Sequence, residues 1–199
     1  MAIKFVYFDV GNVFHTYDHI FEKVALDFGK TPADIDGVFL RHATEVTKGT
    51  TSVKKLWQYC QQELNIQNGV NYNFAKSWAS DYLIIKEMHD LVKKLHKKYK
   101  LGILSNHYLD TFYESLRQGK IPKIDFSTMI ISAEVGCKKP EPEIYKIAQE
   151  RCGFSGEEIF FIDDKKENLF TASKMGWQTF LFDYKNAQKS SEEIGRILL

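Results

Sequence analysis

The chain has 199 residues, of which 44% are hydrophobic, 27% charged and 14% aromatic, and this composition excludes a mostly disordered protein. Its 27 basic and 26 acidic residues nearly cancel, so no overall charge would attract nucleic acid or an anionic membrane. No apolar run reaches membrane-spanning length and no signal peptide is recognised, so we expect a cytoplasmic protein. Three cysteines at unrelated spacings favour neither a disulfide framework nor a zinc site.

The predicted elements alternate between strands and helices. Continuously apolar runs, which are typical of buried parallel strands, occur at 3–8, 101–104, 129–132, 159–162 and 179–182. Helices with recognisable starts and stops are predicted between the later strands, at 108–118, 141–151 and 166–175. This βαβα order predicts an α/β fold with a doubly wound, mainly parallel, Rossmann-like sheet.

A long helical segment follows the first strand and interrupts this alternation. Its predicted helices lie at about 18–29, 32–47, 53–65 and 71–83. Thr31 before Pro32 is a typical helix start, and the residues from Gly49 to Ser52 end one helix and cap the next. We therefore predict a core domain of residues 1–14 and 86–199, and a four-helix cap domain of residues 15–85 over the carboxyl edge of the sheet.

Polar residues stand at or beyond the carboxyl ends of four predicted strands. In an open parallel sheet these ends converge on the ligand crevice. The residues are Asp9; Ser105, Asn106 and His107; Lys139; and Asp163 with Asp164. A carboxylate nucleophile, a hydroxyl donor, a lysine and further carboxylates suit phosphoryl transfer on Mg²⁺, because carboxylates bind the cation while the lysine and hydroxyl neutralise phosphate oxygens.

Each of these signals also has an ordinary structural explanation. A single Asp at a strand end is often part of a turn, adjacent aspartates can cap a helix, and Lys139 can be a surface residue. Their joint occurrence at the ends of successive strands favours the functional interpretation, because folding alone does not require all of them.

Four motifs carry a resemblance to a known family. They are Phe8–Val13, Leu104–Asn106, Lys139–Tyr145, and Phe161–Asp164 with Asn168. On these motifs the chain resembles the haloacid dehalogenase-like (HAD) superfamily of hydrolases, most of which are aspartyl-phosphate phosphatases. The Asp-x-Gly-Asn-Val form resembles the subgroup with sugar-phosphate phosphatases such as glucose-1-phosphatases, and the helical segment is similar to the family's cap over small substrates.

The resemblance implies a role for each motif residue. Asp9 would attack phosphorus to form an aspartyl-phosphate, which water then hydrolyses. Ser105 and the backbone of Asn106 would bind phosphoryl oxygens. Lys139 would stabilise negative charge on both the nucleophile and the phosphate.

The resemblance also implies a Mg²⁺ site and reveals one departure from the family. Asp9, the Gly11 carbonyl and Asp164 would bind the ion, while Asp163 would orient Lys139 or hold a metal-bound water. Most of these phosphatases have an Asp at the position of Gly11, which protonates the leaving group and later deprotonates the attacking water. Loss of such an acid typically costs about 10²- to 10⁴-fold in rate.

Three outcomes are open at Gly11: a leaving group that needs little protonation, another acid, or no turnover. His15, six residues after Asp9, and His107, directly after Asn106, are the candidate replacement acids. A structural role is the alternative for either histidine.

We expect a Mg²⁺-dependent hydrolase that removes phosphate from a small phosphorylated metabolite, which a sugar phosphate would satisfy. One alternative is a 2-haloacid dehalogenase, because such enzymes need no acid at this position. Against it, they need no metal, whereas Asp163 and Asp164 resemble a magnesium site. They also tend to use an arginine in the cap, for which only Arg41 is available here. The other is a non-catalytic phosphate- or partner-binding protein. The sequence identifies neither the metabolite nor the oligomeric state.

Overall fold

A computed structural model describes residues 2–18, 20–68 and 72–199 of the chain. The strands in chain order are β1 (Phe5–Phe8), β2 (His15–Thr16), β3 (Leu83–Ile84), β4 (Lys100–Ser105), β5 (Thr128–Ile131), β6 (Ile159–Asp163) and β7 (Gln178–Leu181). Five of them form one parallel sheet in the order β5-β4-β1-β6-β7, and β2 pairs with β3 in a separate antiparallel ribbon. The predicted α/β fold with a parallel sheet is confirmed.

The first strand lies at the centre of the sheet, between β4 and β6. All four of its residues are fully buried, because helices cover both faces of the sheet and a central strand must then be apolar on both sides. Val6 and Phe8 join the apolar cluster on one face, whereas Phe5 and Tyr7 join the cluster on the other. The strand therefore holds the residue that follows it, Asp9, at the middle of the carboxyl edge.

Most of the helices that were predicted with bounds begin and end close to them. In chain order they are α1 (Ile20–Phe28), α2 (Pro32–Thr47), α3 (Val53–Glu63), α4 (Phe74–Asp81), α5 (Lys86–Leu95), α6 (Leu109–Arg117), α7 (Ser132–Val135), α8 (Pro142–Cys152), α9 (Lys166–Lys174) and α10 (Ala187–Leu198). The start of α2 is a capping box, in which the Thr31 hydroxyl accepts from the Asp34 N–H and the Asp34 carboxylate accepts from the Thr31 N–H. The helices α7 and α10 were not predicted.

The predicted helix over 71–83 is wrong at its carboxyl end. Helix α4 ends at Asp81, and Leu83–Ile84 forms strand β3 instead, paired with Thr16 and His15. Cross-strand pairing accounts for the change, since β2 offers Leu83 and Ile84 a partner strand that helix propensity along the chain does not register. The first predicted residue, Asn71, lies outside the described residues.

The helices α1 to α4 build an apolar cluster of their own, distinct from the two clusters that cover the sheet. Trp78 packs edge to face against two rings of this cluster, with ring centroids 4.8 Å from Phe39 and 4.5 Å from Phe74. The division into a core domain and a cap domain at residues 15 and 85 stays a prediction. Within the described residues, no helix is long and apolar enough to cross a membrane.

Candidate active site

Asp9 directly follows β1 and is 7% exposed. Its Oδ1 accepts hydrogen bonds from the Val10 N–H at 2.7 Å and the Ser105 hydroxyl at 2.7 Å, and lies 3.0 Å from the Lys139 ammonium. Ser105 is the last residue of the neighbouring strand β4. Three donors on one oxygen fix the orientation of this carboxylate before any substrate is present.

Lys139 is buried beneath the sheet edge with a fully inaccessible side chain. Its ammonium donates to the Leu104 carbonyl at 2.8 Å and to Asp163 Oδ2 at 2.6 Å, in addition to its contact with Asp9. Burial lowers the pKa of Lys139, but the adjacent Asp163 and Asp9 carboxylates outweigh burial and raise it above its usual value. The lysine is therefore a permanent cation shared by two carboxylates.

Asp163, the last residue of β6, is fully buried and accepts hydrogen bonds on both oxygens. The Lys165 N–H donates to Oδ1 at 2.8 Å, and the Asn168 amide donates to both oxygens at 3.0 Å. With Lys139 on Oδ2, this carboxylate has a complete set of donors inside the protein. Asp163 therefore contacts Lys139 directly, as one of its two expected roles requires.

Asp164 turns toward the opening and is half-buried. Its Oδ2 accepts from the Asn12 amide at 2.9 Å, and Asn12 reaches it from a left-handed backbone conformation with φ 56°. Carboxylate oxygens of Asp9, Asp163 and Asp164 all lie within 4.8 Å of one another. Burial, followed by the charge of Asp9, raises the pKa of Asp164.

Asn106 follows Ser105 and is tied to the backbone of Lys139. Its amide donates to the Lys139 carbonyl at 2.8 Å and accepts from the Lys139 N–H at 2.8 Å. This pair of bonds joins the ends of two elements that are distant in sequence. The side chain of Asn106 thus positions Lys139, while the expected contact of its backbone with phosphate stays a prediction.

A cavity of about 430 Å³ opens above these residues. Asp9, Gly11, Asn106 and Asp164 line it from the sheet edge. Facing them is a set of aromatic side chains, which we call the aromatic wall: Phe21, Phe39, Trp78, Tyr82 and Tyr108. A larger surface groove of about 860 Å³ lies between α3, α4 and α6, but none of the predicted site residues lines it.

The two candidate acids both line the cavity. The His15 ring stacks on Tyr82, with centroids 3.9 Å apart, and both of its ring nitrogens are buried without a hydrogen-bond partner in the part of the chain that the structure describes. Burial, then the nearby His107, Lys120 and His89, lower the pKa of His15 well below its usual value. Burial also lowers the pKa of His107, whose Nδ1 lies 3.0 Å from the Tyr108 carbonyl.

Asn12 and Tyr17 are contributors to this cavity region that the sequence interpretation missed. Asn12 orients Asp164, and its only sequence signal is its place after Gly11 in a turn, where asparagine tolerates positive φ. Tyr17 lies beside Gly11, and no local pattern predicts a contact between them across the turn. Arg41, the arginine considered for a dehalogenase, instead pairs with Glu63 on the exposed face of α2 and α3.

The family profile described as haloacid dehalogenase-like hydrolase matches residues 15–182. The chain belongs to the haloacid dehalogenase-like hydrolases. The resemblance seen in its motifs is therefore confirmed at the level of the family, and so is its assignment as a hydrolase.

Curated relatives of this hydrolase include proteins of different activities. It is 22% identical over 179 residues to (S)-2-haloacid dehalogenase 4A of Burkholderia cepacia, covering 75% of this chain and 77% of the relative. It is 37% identical over 151 residues to bifunctional epoxide hydrolase 2 of Rattus norvegicus, covering 72% of this chain but 26% of the relative. It is 24% identical over 120 residues to pyrophosphatase PpaX of Bacillus velezensis, of which it covers 54%.

Solved structures share the fold of this hydrolase. A HAD family enzyme from Bacteroides thetaiotaomicron in complex with magnesium and inorganic phosphate superimposes with a TM-score of 0.75 at 25% identity, over 92% of this chain and 96% of that one. The L-2-haloacid dehalogenase of Xanthobacter autotrophicus superimposes with a TM-score of 0.68 at 15% identity, over 89% and 76% of the two chains. The second likeness shows the fold alone.

Proposed function

We propose that this hydrolase is a Mg²⁺-dependent phosphatase that removes phosphate from a small phosphorylated metabolite through an aspartyl-phosphate formed on Asp9. The observation that carries the proposal is the arrangement around Lys139, where one buried ammonium contacts Asp9 at 3.0 Å and Asp163 at 2.6 Å. The Bacteroides enzyme crystallised with magnesium and inorganic phosphate supports the same assignment. The Asp-x-Gly-Asn-Val motif favours a sugar phosphate as the substrate.

The donor set fits a Mg²⁺ ion. Asp9, Asp163 and Asp164 place carboxylate oxygens within 4.8 Å of one another, and the single lysine among them leaves excess negative charge. Oxygen ligands of this kind are those that Mg²⁺ prefers. Asp9, the Gly11 carbonyl and Asp164 would hold the ion, which supplies charge neutralisation between the carboxylates and the incoming phosphate.

The protein's own residues divide the remaining work. Asp9 attacks phosphorus with an oxygen that is already oriented, so little reorganisation is required when the substrate binds. Lys139 neutralises charge next to the nucleophile, and Asp163 with Asn168 keeps the ammonium in place. Ser105 lies within reach of both the carboxylate and a phosphoryl oxygen beside it. Water then releases the phosphate from Asp9.

The test is an assay of phosphate release from a panel of phosphate monoesters, with Mg²⁺ or with a chelator, beside chloride release from a 2-haloacid. We expect Mg²⁺-dependent phosphate release that Asp9→Asn reduces by at least about 10⁴-fold, because the amide is not a nucleophile. The control is Asp125→Asn, the same change in an exposed loop, which should retain activity.

Two results would contradict the proposal. Chloride release that persists without Mg²⁺, in the absence of phosphate release, would assign the dehalogenase activity instead. Absence of both activities, together with no beryllofluoride complex in the presence of Mg²⁺, would assign a non-catalytic binding protein.

A further inference from the structure

The space beside Gly11 is already occupied by another side chain. A Cβ built on Gly11 would lie 2.8 Å from Cε1 of Tyr17, and its next two nearest atoms are also Tyr17 ring atoms, at 3.6 and 3.8 Å. A separation below 3.0 Å is not tolerated in a packed protein, so one of the two groups must move. A side chain at position 11 and the present position of the Tyr17 ring therefore exclude each other.

Backbone conformation does not explain the glycine. Gly11 is absent from the glycines with positive φ, whereas the adjacent Asn12 has φ 56°. An L-residue could adopt the backbone of position 11, and its first obstacle would be the ring of Tyr17. The Tyr17 ring thus occupies the space that the side chain of an aspartate at position 11 would need.

The chain directs Tyr17 into the cavity. Tyr17 directly follows strand β2, and both His15 and Tyr17 line the cavity together with Asp9 and Asp164. Tyr17 is 39% exposed, which places part of its side chain where a ligand in the cavity can touch it.

The phenol is a neutral hydrogen-bond donor. A phenol has a pKa of about 10 in water, so the Tyr17 hydroxyl carries its proton at neutral pH and can donate to an oxygen that gains negative charge. Among the described residues, the nearby His15 ring has no hydrogen-bond partner on either nitrogen, and it offers a second polar contact to the same ligand.

We propose that Tyr17 is the residue that contacts the leaving group, filling the volume of the absent aspartate and donating a hydrogen bond from its hydroxyl to the leaving oxygen. This rests on the proposed phosphatase function. As the Asp9 oxygen bonds to phosphorus, the bond from phosphorus to the leaving oxygen breaks and the electron pair stays on that oxygen. The leaving oxygen takes its proton from water, so Tyr17 retains its own.

This role predicts selectivity for the leaving group. An alkoxide carries concentrated charge and gains much from a hydrogen bond, whereas p-nitrophenolate is already a stable anion. Tyr17→Phe keeps the ring beside Gly11 but removes the donor. We expect it to lower kcat/KM by about 10- to 100-fold for glycerol 2-phosphate, the range for a hydrogen bond to a charged group, and by less than about threefold for p-nitrophenyl phosphate.

The matched control is Tyr113→Phe, the same change at an exposed tyrosine of α6 that lines the separate groove. It should leave the ratio of the two kcat/KM values unchanged. An equal loss on both esters with Tyr17→Phe, or no loss on either, would overturn the hydrogen bond to the leaving group. If the wild type releases phosphate from no ester of the panel and forms no beryllofluoride complex with Mg²⁺, the phosphatase proposal fails and this contact fails with it.

A second measurement tests the steric part without turnover. Gly11→Ala adds only the Cβ that meets the ring. In the otherwise wild-type protein it should lower Tm by about 2–4 °C, which is the shift that about 1 kcal/mol produces in a chain of this size. In a Tyr17→Ala background the same change should have little effect. Equal Tm losses in the two backgrounds would show that the ring does not occupy this space.

Discussion

The two sides of the cavity differ in how their polar groups are satisfied. At the sheet edge, the side chains of Asp9, Ser105, Lys139, Asp163 and Asn168 are joined by hydrogen bonds of 2.6 to 3.0 Å; we call these five residues the polar cluster. On the opposite side, the His15 ring nitrogens and the Trp78 indole N–H are buried without hydrogen-bond partners among the described residues. The polar cluster is already joined by hydrogen bonds before a ligand arrives, whereas the nitrogens opposite are polar atoms that a ligand can satisfy.

This difference separates two tasks. A fixed polar cluster suits a phosphoryl group, which has the same shape in every phosphate ester, and its orientation is determined by strand ends. In the proposed reaction, the aromatic wall would contact the group attached to the phosphate, and most of its residues belong to the helical segment. We therefore expect substitutions in the polar cluster to affect chemistry and stability together, and substitutions in the aromatic wall to affect selectivity.

The largest effect is expected from Lys139→Met. The change leaves the buried carboxylate of Asp163 without its cation, and breaking such a pair typically costs about 3–5 kcal/mol of unfolding free energy. Denaturant unfolding of the wild type and the variant measures it. The control is Lys138→Met, one residue earlier and only half-buried, which should cost less than about 1 kcal/mol. Similar losses of unfolding free energy in the two variants would mean that removing a lysine from the polar cluster is no more destabilising than removing one beside it.

Mg²⁺ should stabilise the protein by a somewhat smaller amount. A ligand at 100 times its dissociation constant adds about 2.7 kcal/mol, because it binds the folded state alone. Thermal unfolding with increasing Mg²⁺ measures the gain in Tm. Asp164→Asn should abolish the gain, whereas Asp125→Asn in the exposed loop should preserve it. A Tm that does not change with Mg²⁺ concentration would argue against the metal site.

Trp78→Phe tests the aromatic wall. Its indole N–H has no partner to lose, so the cost is that of reduced packing against Phe39 and Phe74, about 1.5 kcal/mol. We expect the variant to change the ratio of KM values between substrates, while its kcat for p-nitrophenyl phosphate stays the same. Trp177→Phe is the control, because this indole donates to Gln149 and packs under the sheet far from the cavity. A selectivity change with Trp177→Phe as well would remove the distinction between the two sides.

The smallest effect concerns pH. A histidine whose pKa falls on folding contributes stability above its unfolded value near 6.5, and that stability is lost as pH falls below it. His15→Phe retains an aromatic ring on Tyr82 but removes this titration. Between pH 7.5 and 5.5, the variant should lose about 1 kcal/mol less than the wild type. Parallel pH profiles of unfolding free energy would contradict the buried neutral state of His15.

The sequence predicts the polar cluster well for a physical reason. Parallel strands in one sheet deliver their carboxyl ends to one edge, so an apolar run followed by Asp9 or Asp163 already specifies where the carboxylate lies. Lys139 stands beyond the end of β5 and does not follow from this rule, but its contacts with Asp9 and Asp163 agree with the roles that the resemblance to the family implies. Local periodicity and capping also predict α2, whose start and end agree with the structure.

The parts that the sequence does not predict depend on contacts across space. Strands of two residues, such as β2 and β3, carry no measurable periodicity and exist only because they pair. The position of Tyr17 beside Gly11 depends on that pairing, as does the stacking of His15 on Tyr82. The candidate acids could be named from their place in the chain, but their lack of hydrogen-bond partners could not.

The β2–β3 ribbon has a consequence for how the protein can change. His15 pairs with Ile84 and Thr16 with Leu83, so the chain enters the helical segment and returns from it at one short ribbon. A segment whose two ends are already held together can be lengthened, shortened or replaced with only a small change in closure entropy. Replacement of residues 17–82 by another helical insert would then alter which molecules reach Asp9 and leave the contacts of Lys139 in place. The ribbon is therefore the position at which such an insert can be exchanged to change specificity.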